Sequence, residues 1–334
     1  MLDGIVAGQM PSRAAAASVQ QQGLAADAAW VLLRAASALA EPLDRGGMPR
    51  WFAEDARDGL RPLTADGPGA VLAWRPGSGW ESRLPADDAR AELLNLYLPV
   101  CGATSARPLT VGHLGQSLDG FIATPSGDSQ FVTGSDNLVH VHRMRALCDA
   151  VVVGAGTVAA DDPQLTTRHV QGLSPLRVVF DPGRRLTPEF RVFTDRQAET
   201  LYICGRAHLR PGESRMGGAS IAAIETNDDP GHEAASVLRL LRARGCARVF
   251  VEGGGVTVSA FLEANLLDRL QIAIAPVFIG QGRPAIRLAP QDRLRDCRRP
   301  SYRVFRMGGD VLFDCDLNVP AEPIEDSGAV NRII

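Results

Sequence analysis

Three consecutive glycines give the clearest chemical signal in the sequence. Gly253, Gly254 and Gly255 follow the predicted strand at 248–252 and precede residues that favour a helix. Glycine lets the backbone come close to a bulky anion, and the amino end of a helix offers N–H groups and partial positive charge. The pattern predicts a phosphate or pyrophosphate cradle. The alternative is a tight strand–helix turn that needs glycine only for packing.

A second glycine-containing loop follows the apolar run at 150–153. Residues 154–159 read G-x-G-x-x-A, but a Rossmann fingerprint needs a full helix and strand after it. Pro163 ends any helix within two turns, so the segment is predicted to be a different nucleotide-contacting loop. Asp161 lies at the end of this loop, where it could face a ligand or, with Asp162, only end a turn.

Two polar stretches near the start of the alternating region could line a cleft. The first spans 112–120 and contains His113; the second spans 126–131 and contains Ser129 and Phe131. Phe131 could stack on a flat ring. An ordinary polar loop with one buried aromatic anchor explains the same residues.

Metal and nucleophile chemistry have little support. His140 and His142 are two residues apart on a predicted helix, so they point to different faces and cannot share a metal. The sequence has neither the H-x-E and P-C-x-x-C pair of zinc deaminases nor a G-x-S-x-G nucleophile elbow. It therefore predicts no metal site, no deaminase activity and no serine hydrolase.

The elements that must position these residues form an α/β pattern. From Leu109 onward, predicted strands and helices alternate, which is typical of an α/β sheet. Strands are predicted at 109–114, 150–153, 176–180, 200–204, 248–252, 270–279, 302–307 and 311–317, and helices at 137–149, 233–244 and from 255 to about 266. On the first of these helices, Leu138, Val141, Met144 and Leu147 are predicted to form the apolar face.

The remaining segments are predicted to be separate from this region. Residues 1–106 form an N-terminal extension of unknown role, helical at 13–40 with a short hairpin between 71–74 and 80–84. Residues 107–317 form the main domain, and 318–334 a loose tail. We predict no signal peptide and no membrane span, because the sequence has no basic start before an apolar core and no run of about 18 apolar residues.

Composition narrows the class of partner. The formal net charge is −3, which argues against nucleic acid or an anionic membrane as the main partner. The sequence contains no lysine, so any phosphate clamp must use arginine, hydroxyls or backbone N–H groups. Six scattered cysteines suit a reducing cytoplasm.

Taken together, these stretches resemble the reductase domain of the riboflavin-biosynthesis pyrimidine deaminase/reductase family, over roughly residues 107–317. The ordered matches are 117–120, 126–130, 144–146, 153–157, 160–163 with Leu165 and Arg168, 251–254 and 274–276. The resemblance implies a dihydrofolate-reductase-like fold, a mixed and mainly parallel sheet flanked by helices. It also implies a homodimer that uses NADPH to reduce the ribosyl group of a phosphoribosylamino-pyrimidine to ribityl, as in 5-amino-6-(5-phosphoribosylamino)uracil reductase.

The resemblance assigns roles to individual residues. The NADPH site would comprise Phe131, Thr157, Asp161, Gly253, Gly254, Gly255, Val256 and Thr257. The substrate site would comprise His113, Ser129, Arg145, Leu165, Arg168 and Glu252. Asp161 would place the nicotinamide and relay a proton, and Glu252 would hold the pyrimidine amino groups; these two are the catalytic candidates.

Three departures from the family pattern keep alternatives open. His113 stands where the family often has lysine, and Pro182 stands where a cofactor-contacting serine is common, although Arg184 and Arg185 could meet a 2′-phosphate. Residues 1–106 contain no zinc deaminase ligands, so we expect a reductase with an N-terminal extension unrelated to the deaminase domain of the bifunctional relatives. The alternatives are a same-fold reductase of dihydrofolate, a pterin or a specialised-pathway pyrimidine, and a non-catalytic nucleotide-binding protein.

Overall fold

The computed structural model describes residues 13–130, 132–227 and 229–321. The protein divides into two compact units, Met1–Gly102 and Ala103–Ile334. The sequence analysis placed the boundary between 106 and 107, which is a few residues after the boundary that the structure shows.

The first unit combines two helices with a small antiparallel sheet. Its elements are α1 (Arg13–Gly46), β1 (Arg50–Asp55), β2 (Gly59–Leu63), β3 (Ala70–Arg75), β4 (Gly79–Ser82) and α2 (Ala91–Cys101). The strand order is β2-β1-β3-β4. The expected hairpin is present as β3 and β4, whereas β1 and β2 were not expected. The helix expected at 13–40 extends further than predicted, because α1 continues through Pro42 to Gly46.

Tryptophans fill the core of this unit. Trp74 is fully buried and meets Trp80 edge-on, with ring centroids 5.2 Å apart. Trp80 also packs against Phe52 and donates a hydrogen bond from Nε1 to the Ala36 carbonyl at 3.1 Å. By length and composition alone, the Gln22–Gly46 part of α1 is apolar enough to cross a membrane, a test that the core helix of a globular domain also passes.

The second unit contains the region of alternating strands and helices. Its elements are β5 (Leu109–Ser117), β6 (Phe121–Ala123), α3 (Ser135–Leu147), β7 (Ala150–Gly154), α4 (Ala155–Asp161), β8 (Leu176–Phe180), α5 (Arg191–Thr194), β9 (Thr200–Gly205), β10 (Arg215–Met216), β11 (Ala219–Ile224), α6 (Pro230–Ala243), β12 (Arg248–Glu252), α7 (Gly255–Glu263), β13 (Arg269–Ala275), β14 (Arg283–Pro284), β15 (Pro300–Met307) and β16 (Asp310–Pro320).

Ten of these strands form one sheet in the order β10-β11-β9-β8-β7-β12-β5-β13-β16-β15. The seven strands from β11 to β13 pair in parallel, and the edge strands β10, β16 and β15 pair antiparallel. The predicted mixed, mainly parallel α/β architecture is therefore confirmed. In such a sheet the carboxyl ends of neighbouring strands meet at one edge, where ligands usually bind.

Helices cover both faces of this sheet. On one face, α6 and α7 bury Val237, Leu241, Val258 and Phe261 against the valines of β7, β8 and β12. Side chains alternate between faces along a strand, so Glu252 of β12 points away from Val251 and towards α3. The opposite face of the sheet, which α3 covers, carries polar side chains. One of them is Glu252, which lies at the carboxyl end of β12.

Candidate active site

The two glycine loops converge at the carboxyl edge. β7 ends at Gly154 and β12 at Glu252, and the two strands are parallel neighbours. Thr157, in the loop and helix after β7, accepts a hydrogen bond on Oγ1 from the Gly254 N–H at 2.9 Å. The structure therefore brings together the two loops that the sequence analysis singled out.

Part of the glycine requirement comes from packing within the protein. A Cβ at Gly154 would lie 2.2 Å from the Thr257 Oγ1, and a Cβ at Gly255 would lie 2.1 Å from the Ala285 carbonyl oxygen. Neither position has room for a side chain. The packing interpretation therefore applies to these two glycines.

The outer side of the same loops is open. A Cβ at Gly156 would meet no atom within 4 Å, and Val256, in the first turn of α7, is 67% exposed. The Gly254 N-cap of α7 makes no side-chain capping hydrogen bond. An uncapped helix start beside an open glycine backbone has the shape and partial charge that suit a phosphate group.

The two neighbouring aspartates of the first loop have different surroundings. Asp162 adopts a left-handed backbone, with φ of 39°, and its carboxylate accepts hydrogen bonds from the Arg191 backbone N–H at 2.7 Å and side-chain Nε at 3.0 Å. Asp161 is exposed and accepts a hydrogen bond from the Ser129 hydroxyl at 3.2 Å. Asp162 therefore ends the turn, and Asp161 is the acid that remains accessible to a ligand.

Arg145 of α3 and Glu252 of β12 form a bidentate ion pair. Arg145 Nε donates to Glu252 Oε2 at 2.8 Å, and its Nη2 donates to Oε1. Its Nη1 donates to the Thr166 carbonyl at 3.1 Å. The side chains are only 7% and 16% exposed. The pair thus fixes the direction of the Glu252 carboxylate at the end of its strand.

The segment after Pro163 brings a second arginine to this pair. Arg168 donates from its backbone N–H to His142 Nδ1 at 3.0 Å and from Nη1 to Thr166 Oγ1 at 2.6 Å. Burial, then the charge of Arg145, lowers the pKa of Arg168 from its ordinary value. Leu165 has a φ of 56° and is 1% exposed, so this predicted substrate residue is a buried anchor of the segment.

His113 lies deeper than a residue that binds phosphate would. It is 3% exposed and is the register partner of Glu252 on the adjacent strand. Burial lowers its pKa to about 4, against the opposing charge of Glu252. The imidazole is therefore neutral at pH 7 and does not supply the positive charge of the lysine that the family often has at this position. Phe131, predicted beside the nicotinamide, lies outside the described residues.

The two arginines after β8 differ in availability. Arg184 pairs with Glu213 and donates from Nη1 to the His208 carbonyl at 2.9 Å. Arg185 is 70% exposed and lies 3.5 Å from the buried Asp181. Arg185 is therefore the freer cation of the two.

The polar face of α3 was not recognised from the sequence. Leu138, placed on the apolar face, is 46% exposed, whereas Asn137, His140, His142 and Arg145 are buried. Burial, then Arg145, lowers the pKa of His142 to about 3. The available signal was the polar sequence of the helix, which contains too few apolar residues for a helix buried on a sheet.

A family model described as the RibD C-terminal domain matches residues 110–305 of this protein. A reductase of Methanothermobacter thermautotrophicus, named for 2,5-diamino-6-ribosylamino-4(3H)-pyrimidinone 5′-phosphate, is 33% identical over 215 residues, 62% of this protein and 97% of the relative. A reductase of the same name from Archaeoglobus fulgidus is 33% identical over 52% of this protein and 83% of its own length. The riboflavin biosynthesis protein RibD of Mycobacterium tuberculosis is 35% identical over 59% and 51%.

Comparison with solved structures also finds similarity to reductases of this kind. A crystal structure from Thermotoga maritima, titled as a diaminohydroxyphosphoribosylaminopyrimidine deaminase/5-amino-6-(5-phosphoribosylamino)uracil reductase, aligns with a TM-score of 0.54 and 26% identity over 68% of this protein and 60% of that one. The yeast riboflavin biosynthesis reductase Rib7 aligns with a TM-score of 0.52 and 21% identity over 68% and 98%, which shows the fold. The resemblance seen in the sequence is confirmed, and because the family model covers more than half of its residues, the protein belongs to the RibD C-terminal domain family.

Proposed function

We propose that this protein uses NADPH to reduce the ribosyl group of a phosphoribosylamino-pyrimidine to ribityl, as a reductase of riboflavin biosynthesis. The observation that carries the proposal is the contact between Thr157 and Gly254, which joins a phosphate-type cradle to the Arg145–Glu252 pair at one edge of the sheet. A cofactor cradle and a polar substrate-type pocket on adjacent strand ends are what a two-ligand reductase requires.

The cofactor side fits a dinucleotide. The open backbone at Gly156 and the uncapped start of α7 would hold the pyrophosphate, and Val256 and Thr257 would contact its flanking groups. Arg185, the more exposed of the two arginines after β8, would meet a 2′-phosphate, which favours NADPH over NADH. The bound cofactor would supply the hydride.

The substrate side combines an acceptor with two cations. The Glu252 carboxylate would accept hydrogen bonds from the pyrimidine amino groups, while Arg168 and Arg145 would bind the phosphate through charge-assisted hydrogen bonds. Ser129 would line the space between them, the buried Leu165 would anchor the segment that carries Arg168, and His113 would act from beneath Glu252. These roles agree with the assignments made from the family resemblance.

The proton requires a group near the reacting nitrogen. Hydride addition to the imine form of the opened sugar leaves developing negative charge on nitrogen, which a positioned acid can quench. The exposed Asp161, which holds the Ser129 hydroxyl at 3.2 Å, is the candidate to relay that proton from solvent.

The test is direct. The purified protein is mixed with NADPH and either 5-amino-6-(5-phosphoribosylamino)uracil or 2,5-diamino-6-ribosylamino-4(3H)-pyrimidinone 5′-phosphate, and loss of NADPH absorbance is followed with mass detection of the ribityl product. We expect turnover with at least one of them, and slower turnover with NADH. Dihydrofolate is the control substrate. Reduction of dihydrofolate alone, or NADPH binding without any turnover, would overturn the proposal.

The proposal also includes an oligomeric state and a cellular location. The family resemblance favours a homodimer in the cytoplasm, which size-exclusion chromatography with light scattering and cell fractionation would test.

A further inference from the structure

A row of polar residues runs across the sheet from the candidate substrate site. Glu252, His113, Gln271 and Asp314 are register partners on β12, β5, β13 and β16. Side chains in register on adjacent strands point to the same face. The last three are almost fully buried, at 3%, 0% and 0% exposure. The row therefore connects the end of Glu252 to the sheet interior.

At each end of the row, groups of opposite charge are paired. Arg145 binds Glu252 at the site end. At the other end, Asp314 accepts hydrogen bonds from Arg269 at 2.6 Å and from Arg303 at 2.7 Å. The formal charges lie at the two ends of the row. His113 and Gln271 lie between them and determine whether hydrogen bonds connect the two ends.

A fixed hydrogen-bond order connects the Asp314 end to α3. Gln271 Nε2 donates to Asp314 Oδ1 at 3.3 Å, which leaves Gln271 Oε1 to accept from His140 Nε2 at 3.0 Å. His140 is therefore held as the uncharged Nε2–H tautomer. Its ring centroid lies 5.1 Å from that of His113. This series of bonds ends at the ring next to His113.

His113 is the exception in this row. Neither of its ring nitrogens has a partner at full hydrogen-bond geometry among the described residues, although the ring is buried between β12, β13 and α3. The titratable groups beside the ring are Glu252 from β12 and His140 from α3, and the Asn137 side chain and the Gln271 backbone are the neutral polar groups beside it. Leaving an imidazole unpaired in the interior costs free energy, and an apolar residue would avoid that cost.

We propose that His113 is a positioning residue for Glu252, and that it offers an uncharged N–H to the carboxylate when an aminopyrimidine draws Glu252 away from Arg145. The inference rests on the proposed function. Arg145 contacts both oxygens of the Glu252 carboxylate in this structure, so the imidazole gains Glu252 as a partner only when a ligand competes for that carboxylate. His140, held by Gln271, keeps the His113 ring in place. The free energy lost at the unpaired imidazole is thereby recovered on substrate binding.

The first test uses variants of His113 that separate the effect of side-chain bulk from the effect of the N–H donor. His113→Leu keeps the bulk but removes the N–H, and His113→Asn and His113→Gln restore an uncharged donor at two different lengths. We expect His113→Leu to raise KM for the pyrimidine substrate about tenfold, with kcat and the Kd for NADPH within about twofold. At least one amide variant should bring KM back to within about threefold of wild type.

The matched control is Val111→Ala, a buried change on the same face of β5, two residues from His113. It should lower stability and leave KM unchanged. An unchanged KM in His113→Leu would overturn the proposal, because the lost N–H would then have no effect on substrate binding. An equal rise of KM in Val111→Ala would overturn it as well, because any disturbance of β5 would then explain the change.

A measurement on the unmodified protein does not depend on folding of a variant or on turnover. With ¹⁵N-labelled histidine, the His113 ring resonances should move when the free base 2,5,6-triaminopyrimidin-4-one saturates the site, and those of exposed His208 should not. Unmoved His113 resonances at saturation would sink the inference. If the free base moves the His113 resonances but neither phosphoribosylated substrate is turned over with NADPH, the result would instead count against the proposed function alone.

Discussion

Arg145 pairs with Glu252 across the junction of α3 and β12 and donates to both oxygens of its carboxylate. With exposures of 7% and 16%, the pair belongs largely to the interior. Removing one member of such a pair leaves the other charge buried and uncompensated, which is far more costly than replacing both. The pair therefore contributes to folding and to the site at once.

A double-mutant cycle measures this dual role. Glu252→Gln and Arg145→Met should each lower the free energy of unfolding by about 3 kcal/mol, and the double variant should cost about 2 kcal/mol less than their sum. Urea unfolding gives all four values. The exposed pair Arg206–Glu225, at 62% and 72%, is the control, and its coupling should stay below about 1 kcal/mol. Additive losses at Arg145 and Glu252 would contradict the assignment.

Thr157 links the two glycine loops through its hydroxyl. Thr157→Val keeps the shape but removes the acceptor for the Gly254 N–H, 2.9 Å away. We expect the Kd for NADPH to rise about tenfold, since one buried hydrogen bond is lost and the loop start is freed. Fluorescence titration with NADPH measures it. Thr157→Ser should bind normally, and so should Thr194→Val, which loses only a bond to the Phe190 carbonyl. Wild-type affinity in Thr157→Val would argue against a cofactor role for this contact.

The sequence was most informative where local chemistry determines structure. The strands predicted at 176–180 and 248–252 coincide with β8 and β12, and Pro163 does end the short α4 close to Asp161. The convergence of the two loops followed from parallel neighbouring strands, which alternation of strands and helices predicts.

Other features depended on long-range contacts that periodicity does not encode. The polar residues of α3 are buried because β12 and β13 supply partners for them, as Gln271 does for His140. The unexpected β11 (Ala219–Ile224) is half-buried and alanine-rich, so its propensity is weak and its pairing with β9 decides the structure. No local pattern indicated that His113 would lie buried beside Glu252.

Asp161 and Arg168 should separate turnover from binding. Asp161→Asn keeps a hydrogen-bond acceptor for Ser129 but loses the acid, so kcat should fall about 100-fold with KM within about threefold. Arg168→Ala removes a cation without touching the proton path, so KM for the phosphorylated substrate should rise about 30-fold with a smaller change in kcat. Steady-state kinetics with NADPH at saturation distinguishes them. The control is Glu189→Gln, an exposed acid outside the site. Full activity in Asp161→Asn would exclude its assigned role.

The buried His113 should leave a signature in the pH dependence of stability. Its folded pKa, about 4, lies below the unfolded value of about 6.5 because burial opposes the charge. Between those values the unfolded protein binds more protons than the folded one, so the free energy of unfolding falls as the pH falls through this window. From pH 7 to pH 4.5 this group alone should cost about 2–3 kcal/mol. Urea unfolding of wild type and His113→Asn at both pH values isolates it, because asparagine does not titrate. The wild type should lose more stability than the variant by that amount; equal losses would mean that His113 already carries its proton in the folded protein or has the same pKa in both states.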